Sequence, residues 1–321
     1  MKDIAETARS IAPYVCETPL APWPNQTLSE WLGGDAQVLL KLELLQRTGT
    51  FKARGALSVV LGSDPRTVRR GLVTASAGNH AIATAYAART VGVSAKVLVP
   101  RTAAPFRLQA CRALGAEVVM AEDDAAAFAE ARRIAASEGR LFIHPFDGPL
   151  TALGAATLGL ELSRQAPVLD AVVVAVGGGG LIGGVAAAVK QLRPACRVYG
   201  VEPVGASNLR RSLDRGEIAP PAAPATIADS LAPPQCAPFS FQLCRSNVDE
   251  VVLVDDLKIR GAMRLLFHDC KLAVEPAGAA ATAAVLGPLR GRLAGKTVAI
   301  VVCGSNIDLR SFQALVEPAA A

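Results

Sequence analysis

Short apolar runs alternate with alanine-rich segments of helical period from about residue 37 to residue 316 of the chain. Such runs are typical of buried strands, and the segments between them are long enough for crossover helices. The alternation therefore predicts an α/β fold with mainly parallel, twisted sheets. The predicted strands cover residues 38–42, 71–74, 95–99, 117–120, 171–176, 197–201 and 297–302. The predicted helices cover residues 81–90, 106–114, 124–137, 150–164, 181–191 and 259–270.

Length and composition narrow the class of protein. The 321 residues exceed the usual size of one hydrophobic core, so we expect two domains. The longest apolar stretch, 171–189, is interrupted by six glycines and does not resemble a membrane helix. No basic and apolar leader precedes Ala12, and the seven cysteines form no C-x-x-C pair, which predicts a cytoplasmic protein with reduced thiols. Dispersed charges and 4% aromatic residues predict no binding to nucleic acid.

Lys52 lies in the segment Arg-Thr-Gly-Thr-Phe-Lys-Ala-Arg-Gly-Ala, residues 47–56. This segment is typical of the motifs that surround a catalytic lysine. A lysine amine titrates near ~10.4 in water, so a nucleophilic lysine must be desolvated or placed near other cations. Phe51 could supply an apolar wall, and Arg54 could supply a nearby cation. The alternative is a surface lysine at the start of an amphipathic helix.

Gly177, Gly178, Gly179 and Gly180 follow a predicted strand and open a predicted helix. Converging backbone N–H groups at a helix N-terminus favour an anion, so the turn predicts a phosphate site. A tight turn without a ligand is the alternative. With Gly183 the segment also spells G-x-G-x-x-G, and Glu202 ends the next strand, a pattern typical of NAD-dependent dehydrogenases.

Residues 74–80 form a second loop from a strand end into a helix. Ser76 and His80 could donate hydrogen bonds there, and Asn79 could donate or accept them, which suits a substrate carboxylate. An ordinary capped helix start is the alternative.

Three further segments have two interpretations each. Cys303 could present its thiol to a ring nitrogen or be a core cysteine. Glu275 could cap the following helix or face the site. The proline-rich segment 218–239 predicts a long surface loop, which could flank the site or be a passive connection.

Taken together, these segments resemble the fold type II pyridoxal-phosphate (PLP) enzymes, also called tryptophan synthase beta-like, and among them the serine/threonine dehydratase and serine racemase family. The resemblance runs from about residue 41 to residue 308. Its motifs, in order, are Lys41-Leu42-Glu43, Phe51-Lys52-Ala53-Arg54-Gly55-Ala56, Ser76-Ala77-Gly78-Asn79-His80, His144-Pro145-Phe146, Gly177-Gly178-Gly179-Gly180, Thr226-Ile227-Ala228-Asp229, Glu275-Pro276 and Cys303-Gly304-Ser305-Asn306. It implies a large cofactor-binding domain of residues 1–66 and 149–321 and a small mobile domain of residues 67–148.

The resemblance also implies roles for individual residues. Lys52 would bind pyridoxal 5'-phosphate as a Schiff base, with Phe51 against the ring and Asn79 bonded to its phenolic oxygen. The glycines 177–180 would bind the phosphate, and Glu275 and Cys303 would lie at the ring, Cys303 where the family usually has serine. The substrate would be held by Ser76, Ala77, Gly78, Asn79 and His80.

The implied activity is dehydration of a β-hydroxy-α-amino acid, with L-threonine or L-serine as the default, to a 2-oxo acid and ammonia. Lys52 would remove the α-proton, and Ala77 replaces the second serine of serine racemases, which disfavours racemisation. A homodimer is usual in the family. The alternatives are a 3-hydroxyaspartate dehydratase, a β-replacement enzyme, a racemase, an NAD-dependent dehydrogenase and a non-enzymatic binding protein.

The chain departs from the family pattern at several positions. Gly154-Ala155-Ala156-Thr157 replaces a Gly-Gln-Gly-Thr pattern, and Ser230 and Ser305 each replace a glycine, so an unusual substrate is expected. Glu202 and Ala206 match two positions of the family's Mg²⁺ or Ca²⁺ site, but Asn208 replaces an aspartate, which should weaken binding. The alternative for Glu202 is a local pairing at its strand end.

Overall fold

The structure is a computed structural model that describes residues 1–317, and its strands and helices alternate along most of the chain. The strands are β1 Leu20–Pro22, β2 Gln37–Lys41, β3 Leu72–Ala75, β4 Ala95–Pro100, β5 Glu117–Ala121, β6 Leu141–Phe142, β7 Ala171–Ala175, β8 Arg197–Pro203, β9 Glu250–Val254 and β10 Thr297–Val301. The helices are α1 Lys2–Ile11, α2 Thr27–Leu32, α3 Lys52–Gly62, α4 Pro65–Val68, α5 Asn79–Val91, α6 Pro105–Ala113, α7 Asp124–Glu138, α8 Pro149–Gln165, α9 Gly180–Leu192, α10 Asn208–Arg215, α11 Pro238–Asn247, α12 Asp256–Cys270, α13 Pro276–Leu286, α14 Arg290–Leu293 and α15 Leu309–Val316.

The strands form two separate sheets. The larger sheet has the order β1-β2-β10-β7-β8-β9 and is parallel except at its edge, where β1 pairs antiparallel with β2. The smaller sheet has the order β5-β4-β3-β6 and is parallel throughout. The predicted α/β class with mainly parallel sheets is therefore confirmed.

The smaller sheet shares its core with residues from outside the segment 67–148. Leu57 and Val60 of α3, and Ile11 at the end of α1, lie in one hydrophobic cluster with Leu72 and Val97 of the small sheet. Helix α3 also packs on α8, so it connects the two sheets. The domain boundaries at residues 66 and 149 remain a prediction.

The pair α8 and α9 lies unusually close. A Cβ on Gly184 of α9 would lie 2.5 Å from the carbonyl oxygen of Ala152 and 2.7 Å from Cβ of Ala155, both on α8. Glycine at this position therefore lets the two helix backbones approach each other, and the approach fixes α8 beside the strand end that precedes α9.

Each strand and helix predicted from sequence overlaps one in the structure, whereas several short or non-periodic elements were not predicted. Strands β1 and β6 have three and two residues, too few for a periodic signal. Helix α13 is buried at every position except Leu286, so it lacks the polar face that marks a helix in a sequence. Among the described residues no helix has both the length and the apolar character needed to cross a bilayer.

Candidate active site

A cavity lies where the strand ends of the larger sheet meet a loop of the smaller one. In parallel sheets the carboxyl ends of neighbouring strands lie at one edge, and the loops after β3, β7 and β10 all reach this cavity. The residues that line it include Phe51, Lys52, Asn79, Phe146, Gly177, Gly178, Gly179, Gly180, Ser230, Glu275 and Cys303. The structure thus brings together all nine predicted cofactor-binding residues.

Lys52 is the first residue of α3, and its amine points into the cavity. Its Nζ donates a hydrogen bond to the carbonyl oxygen of Pro145 at 2.5 Å and lies 5.2 Å from the ring centre of Phe51. Burial lowers the pKa of Lys52 to about 8, although Cys303 and Glu275 act in the opposite direction. An amine with this pKa is partly neutral near pH 8, as a nucleophile or base must be.

Arg54 does not act on Lys52 as expected. Its guanidinium is buried and bonds to Glu43 at 2.8 Å and to Glu161 at 2.6 Å. Because two carboxylates neutralise it, it is not the cation that depresses the pKa of Lys52, and that expectation is wrong. The cluster instead connects α3 to α8 beneath the site, since Glu161 also binds Lys41 at 2.8 Å.

Cys303 follows β10 and lies beside the start of α3. The backbone N–H of Phe51 donates to the carbonyl oxygen of Cys303 at 3.3 Å, and Thr50 forms a β-bridge with Gly304. Burial raises the pKa of the Cys303 thiol, so the thiol stays protonated. A neutral thiol therefore faces the cavity close to Lys52.

Glu275, the residue before α13, is held against Asn79. Asn79 Nδ2 donates to Oε1 of Glu275 at 2.7 Å, and Nδ2 of Asn306 donates to Oδ1 of Asn79 at 2.7 Å. Burial raises the pKa of Glu275 to about 7, while Arg107 lowers it. The amide of Asn79 is thereby fixed in orientation, and its second N–H faces Ser230 Oγ at 3.5 Å. A bond from Asn79 to a cofactor oxygen stays a prediction.

Arg107 is a residue of this network that no sequence motif indicated. It lies on α6, is 8% exposed, and contacts Asp229 Oδ2 at 2.5 Å and the carbonyl oxygen of Asn306 at 3.3 Å. Its Nη2 lies 3.7 Å from Oε2 of Glu275, a buried oxygen without a hydrogen bond among the described residues. The sequence did contain a signal for a residue of α6 at the site. Helix α6 follows β4, and the carboxyl end of β4 lies beside that of β3, whose loop reaches the cavity.

The glycine turn between β7 and α9 presents free backbone donors. Within residues 1–317 no acceptor receives the N–H groups of Gly177, Gly178 and Gly179, and the last two residues are buried. Helix α9 begins at Gly180, which adds the positive end of its dipole. Gly178 and Gly180 have no room for a Cβ because Phe146 packs directly on them. Orphaned amides beside a lysine amine fit the phosphate and the aldehyde of PLP.

The loop that contains Ser76, Ala77 and Gly78 uses part of its hydrogen-bonding capacity within the loop. Ser76 Oγ accepts a hydrogen bond from the N–H of Gly78 at 3.2 Å. His80 Nε2 lies 3.1 Å from the carbonyl oxygen of Ile143, and burial, with a further contribution from Lys52, lowers its pKa to about 3. The neutral ring must donate to that carbonyl, so it has no N–H left for a carboxylate. Substrate binding by the loop remains a prediction.

Glu202 lies at the end of β8 and is fully buried. Its two carboxylate oxygens accept hydrogen bonds from the backbone N–H groups of Leu209 and Arg210, both at 2.8 Å. Glu202 therefore stabilises the start of α10, as the local-pairing alternative supposed. It cannot reach a ribose hydroxyl from this position. A divalent cation at Glu202 and Ala206 stays a prediction.

The proline-rich loop contributes to the cavity, as one of its two interpretations supposed. Ser230 and Leu231 line the cavity, and Asp229 binds Arg107. Two contacts of the site were not predicted from the sequence: the bond from Lys52 to the carbonyl oxygen of Pro145 and the ion pair of Arg107 with Asp229. Both join segments that lie far apart in sequence.

A model of the pyridoxal-phosphate dependent enzymes matches residues 11–304. The chain belongs to this family. It is 52% identical over 275 residues to a phenylserine dehydratase of Ralstonia pickettii, covering 86% of this chain and 84% of the relative. It is 38% identical over 319 residues to an L-threonine ammonia-lyase of Thermotoga maritima, covering 98% of this chain and 78% of the relative.

Solved structures agree with the family. A threonine deaminase from T.th. superposes with a TM-score of 0.88 at 41% identity, covering 96% of this chain and 99% of that one. Maize serine racemase superposes with a TM-score of 0.90 at 33% identity, covering 96% and 95%. The predicted two-domain fold type II class and PLP as cofactor are confirmed. The NAD-dependent dehydrogenase alternative is wrong, because Gly178 and Gly180 serve the packing of Phe146 and Glu202 is occupied by backbone donors.

Proposed function

We propose that the protein is a PLP-dependent lyase that dehydrates β-hydroxy-α-amino acids carrying an aryl group on the β-carbon, of which 3-phenylserine is the simplest. The products are a 2-oxo acid and ammonia. The observation that carries the chemistry is the buried Lys52 amine, with its pKa of about 8, beside a cavity with orphaned backbone donors. The substrate is proposed from the relative that is 52% identical.

Four parts of the site would hold the cofactor. Lys52 would bind its aldehyde carbon, and the N–H groups of 177–180 would bind its phosphate. Phe51 would pack against the ring, and the Cys303 thiol would lie at the ring nitrogen. A thiol whose pKa is raised by burial is a weak, neutral partner for that nitrogen. PLP supplies the electron sink that acidifies the α-proton and weakens the bond to the β-hydroxyl.

Lys52 would take up the α-proton in its neutral form. The carbonyl oxygen of Pro145, 2.5 Å from Nζ, fixes the direction of the amine and accepts one of its hydrogens. Since burial holds the pKa of Lys52 near 8, about a tenth of the amine is neutral at pH 7 and can accept a proton, and this fraction rises toward pH 8. Methyl at Ala77 cannot deliver a proton to the other face, which supports elimination over racemisation.

The relatives support a dehydratase and move the proposed substrate from threonine or serine to an aryl analogue. The L-threonine ammonia-lyases of Thermotoga maritima and Geobacter sulfurreducens are 38% and 40% identical, against 52% for the phenylserine dehydratase. Threonine and serine would be secondary substrates. A homodimer and a cytoplasmic location belong to the same proposal, as does closure of the small domain over the site.

The test is to incubate the purified enzyme with L-threo-3-phenylserine, L-threonine and L-serine and to measure ammonia and the 2-oxo acid. Phenylpyruvate should form fastest, and Lys52→Ala should abolish release of every 2-oxo acid. Lys258→Ala, at an exposed lysine of α12, is the control and should match the parent. Release of 2-oxo acid by Lys52→Ala at the parent rate would refute the role of Lys52.

A further inference from the structure

A second, smaller cavity adjoins the Lys52 amine on the side of α8. Its walls are mainly apolar and are formed by Phe51, Ala56, Pro145, Phe146, Ala155 and Leu181. A substituent on the β-carbon must lie near the group that removes the α-proton. The position of the cavity therefore suits the β-substituent of a substrate.

Ala155 opens this cavity. It stands where the family pattern has glutamine, and it lines the cavity wall from α8. On its α9 side there is no spare room, because a Cβ on Gly184 would already lie 2.7 Å from Cβ of Ala155. A longer side chain at position 155 must therefore extend into the cavity and reduce its volume.

Aromatic rings back the opposite wall. The ring of Phe146 meets that of His144 edge to face, with centres 4.7 Å apart at 88°. His144 in turn lies 5.8 Å from Phe128 and 6.2 Å from Phe142. Only 4% of the chain is aromatic, yet three phenylalanines lie together around His144 beside the site. Edge-to-face packing is also how an aryl substituent would contact Phe146.

The polar groups of the cavity do not favour a charged substituent. His80 is neutral, because burial lowers its pKa to about 3, and its Nε2 is bonded to Ile143. Thr151 presents an uncharged side chain, and Lys52 is reserved for the cofactor. A carboxylate on the β-carbon would find no arginine here, since Arg107 lines neither cavity and binds Asp229. This argues against 3-hydroxyaspartate as the substrate.

We infer that this cavity binds the aryl group of the substrate and that Ala155 determines the preference for aryl over small β-substituents. The inference rests on the proposed function and adds to it the location of the aryl group. Alanine at position 155, where the family pattern has glutamine, leaves the space, and Phe146 supplies the ring contact.

The test compares Ala155→Gln with the parent on L-threo-3-phenylserine and L-threonine. The ratio of kcat/KM for phenylserine to kcat/KM for threonine should fall at least about tenfold, the scale of discrimination by filling an apolar pocket. Ala155→Leu fills the same space without a polar group and should give the same fall. Ala155→Leu also replaces Ala155→Gln in the test if Ala155→Gln folds poorly.

Ala156→Gly is the matched control. It restores the family residue at the next position, whose side chain packs away from the cavity against Ile4 and Leu160. Its substrate ratio should stay at the parent value. The inference is supported if the substrate ratio falls in Ala155→Gln and Ala155→Leu but not in Ala156→Gly. An unchanged ratio in both Ala155 variants overturns it.

A binding measurement separates this inference from the proposed function. The dissociation constant of 3-phenylpropionate should rise at least about tenfold in Ala155→Gln, while that of butyrate should not. If the parent does not turn over phenylserine, the proposed substrate is wrong. Loss of 3-phenylpropionate binding in Ala155→Gln would then still support the aryl cavity, and retained binding would overturn it.

Discussion

Arg107→Gln is the substitution whose effect can be worked out most fully from the contacts. It removes a guanidinium that connects α6 of the small sheet with Asp229 and Asn306 of the cavity loops. The Asp229 side chain is 58% exposed, so that ion pair contributes only about 0–1 kcal/mol. The bond to the carbonyl of Asn306 contributes at the lower end of the range of about 1.5–3 kcal/mol for a charged donor, because Asn306 is only half-buried and the bond is 3.3 Å long.

The sum for Arg107→Gln is about 2 kcal/mol, or roughly 30-fold in an equilibrium constant. Arg107 lies outside both cavities around Lys52, so we expect KM to rise about 10- to 30-fold and kcat to change much less. Arg107 also lowers the pKa of Glu275. Its loss should raise that pKa further, so any limb of the pH-rate profile that reports Glu275 should move to higher pH.

The assay is steady-state release of 2-oxo acid across a pH series, with Arg112→Gln as the control. Arg112 is an exposed arginine on the same helix, so the charge change is matched. Arg112→Gln should leave KM and the pH profile unchanged. If both variants gave the parent KM and the same profile, Arg107 would not position the Glu275 network.

Three further predictions follow from single contacts. Gly178→Ala should weaken PLP binding at least about tenfold, because its Cβ would overlap the ring of Phe146; unchanged affinity in a cofactor titration would refute the crowding. The kcat profile should rise with a midpoint near pH 8, set by Lys52, and a flat profile from pH 6 to pH 10 would contradict its role. His80 has a folded pKa of about 3, below its unfolded value, so stability should fall as pH drops below about 6.5. The His80 part of the loss should approach about 3 kcal/mol at pH 4, and in denaturant titrations His80→Gln should lose less stability by that amount. The part due to His144, whose pKa burial lowers to about 4, should remain.

The sequence predicted the sheets because buried parallel strands are continuous apolar runs, which stand out from their surroundings. The convergence of Lys52, Asn79 and the glycine turn was predicted only through the family resemblance. Asn79 follows β3 of the smaller sheet and the glycine turn follows β7 of the larger one, so no single sheet edge brings them together. Helix α13 was missed because burial on all sides removes the polar face that marks a helix. Strand β9, which follows α11, was also missed, although residues 251–254 form an apolar run.

Side-chain partners were the least predictable part of the site. Arg54 is adjacent to the Lys52 motif in sequence, but it turns toward Glu43 and Glu161. Arg107 lies far from every motif in sequence and still binds Asp229 of the cavity loop. Such pairings depend on how helices of different segments pack, which no local pattern records.

Covalent binding of PLP by Lys52 is tested most directly by peptide mapping after borohydride reduction of the holoenzyme. We expect loss of the visible absorbance band and a phosphopyridoxyl group on the peptide that contains Lys52. We expect no label at Lys41, which is buried in contacts with Glu161 and Gln165. A label on another lysine, or no label in an enzyme that still releases 2-oxo acid, would contradict the claim.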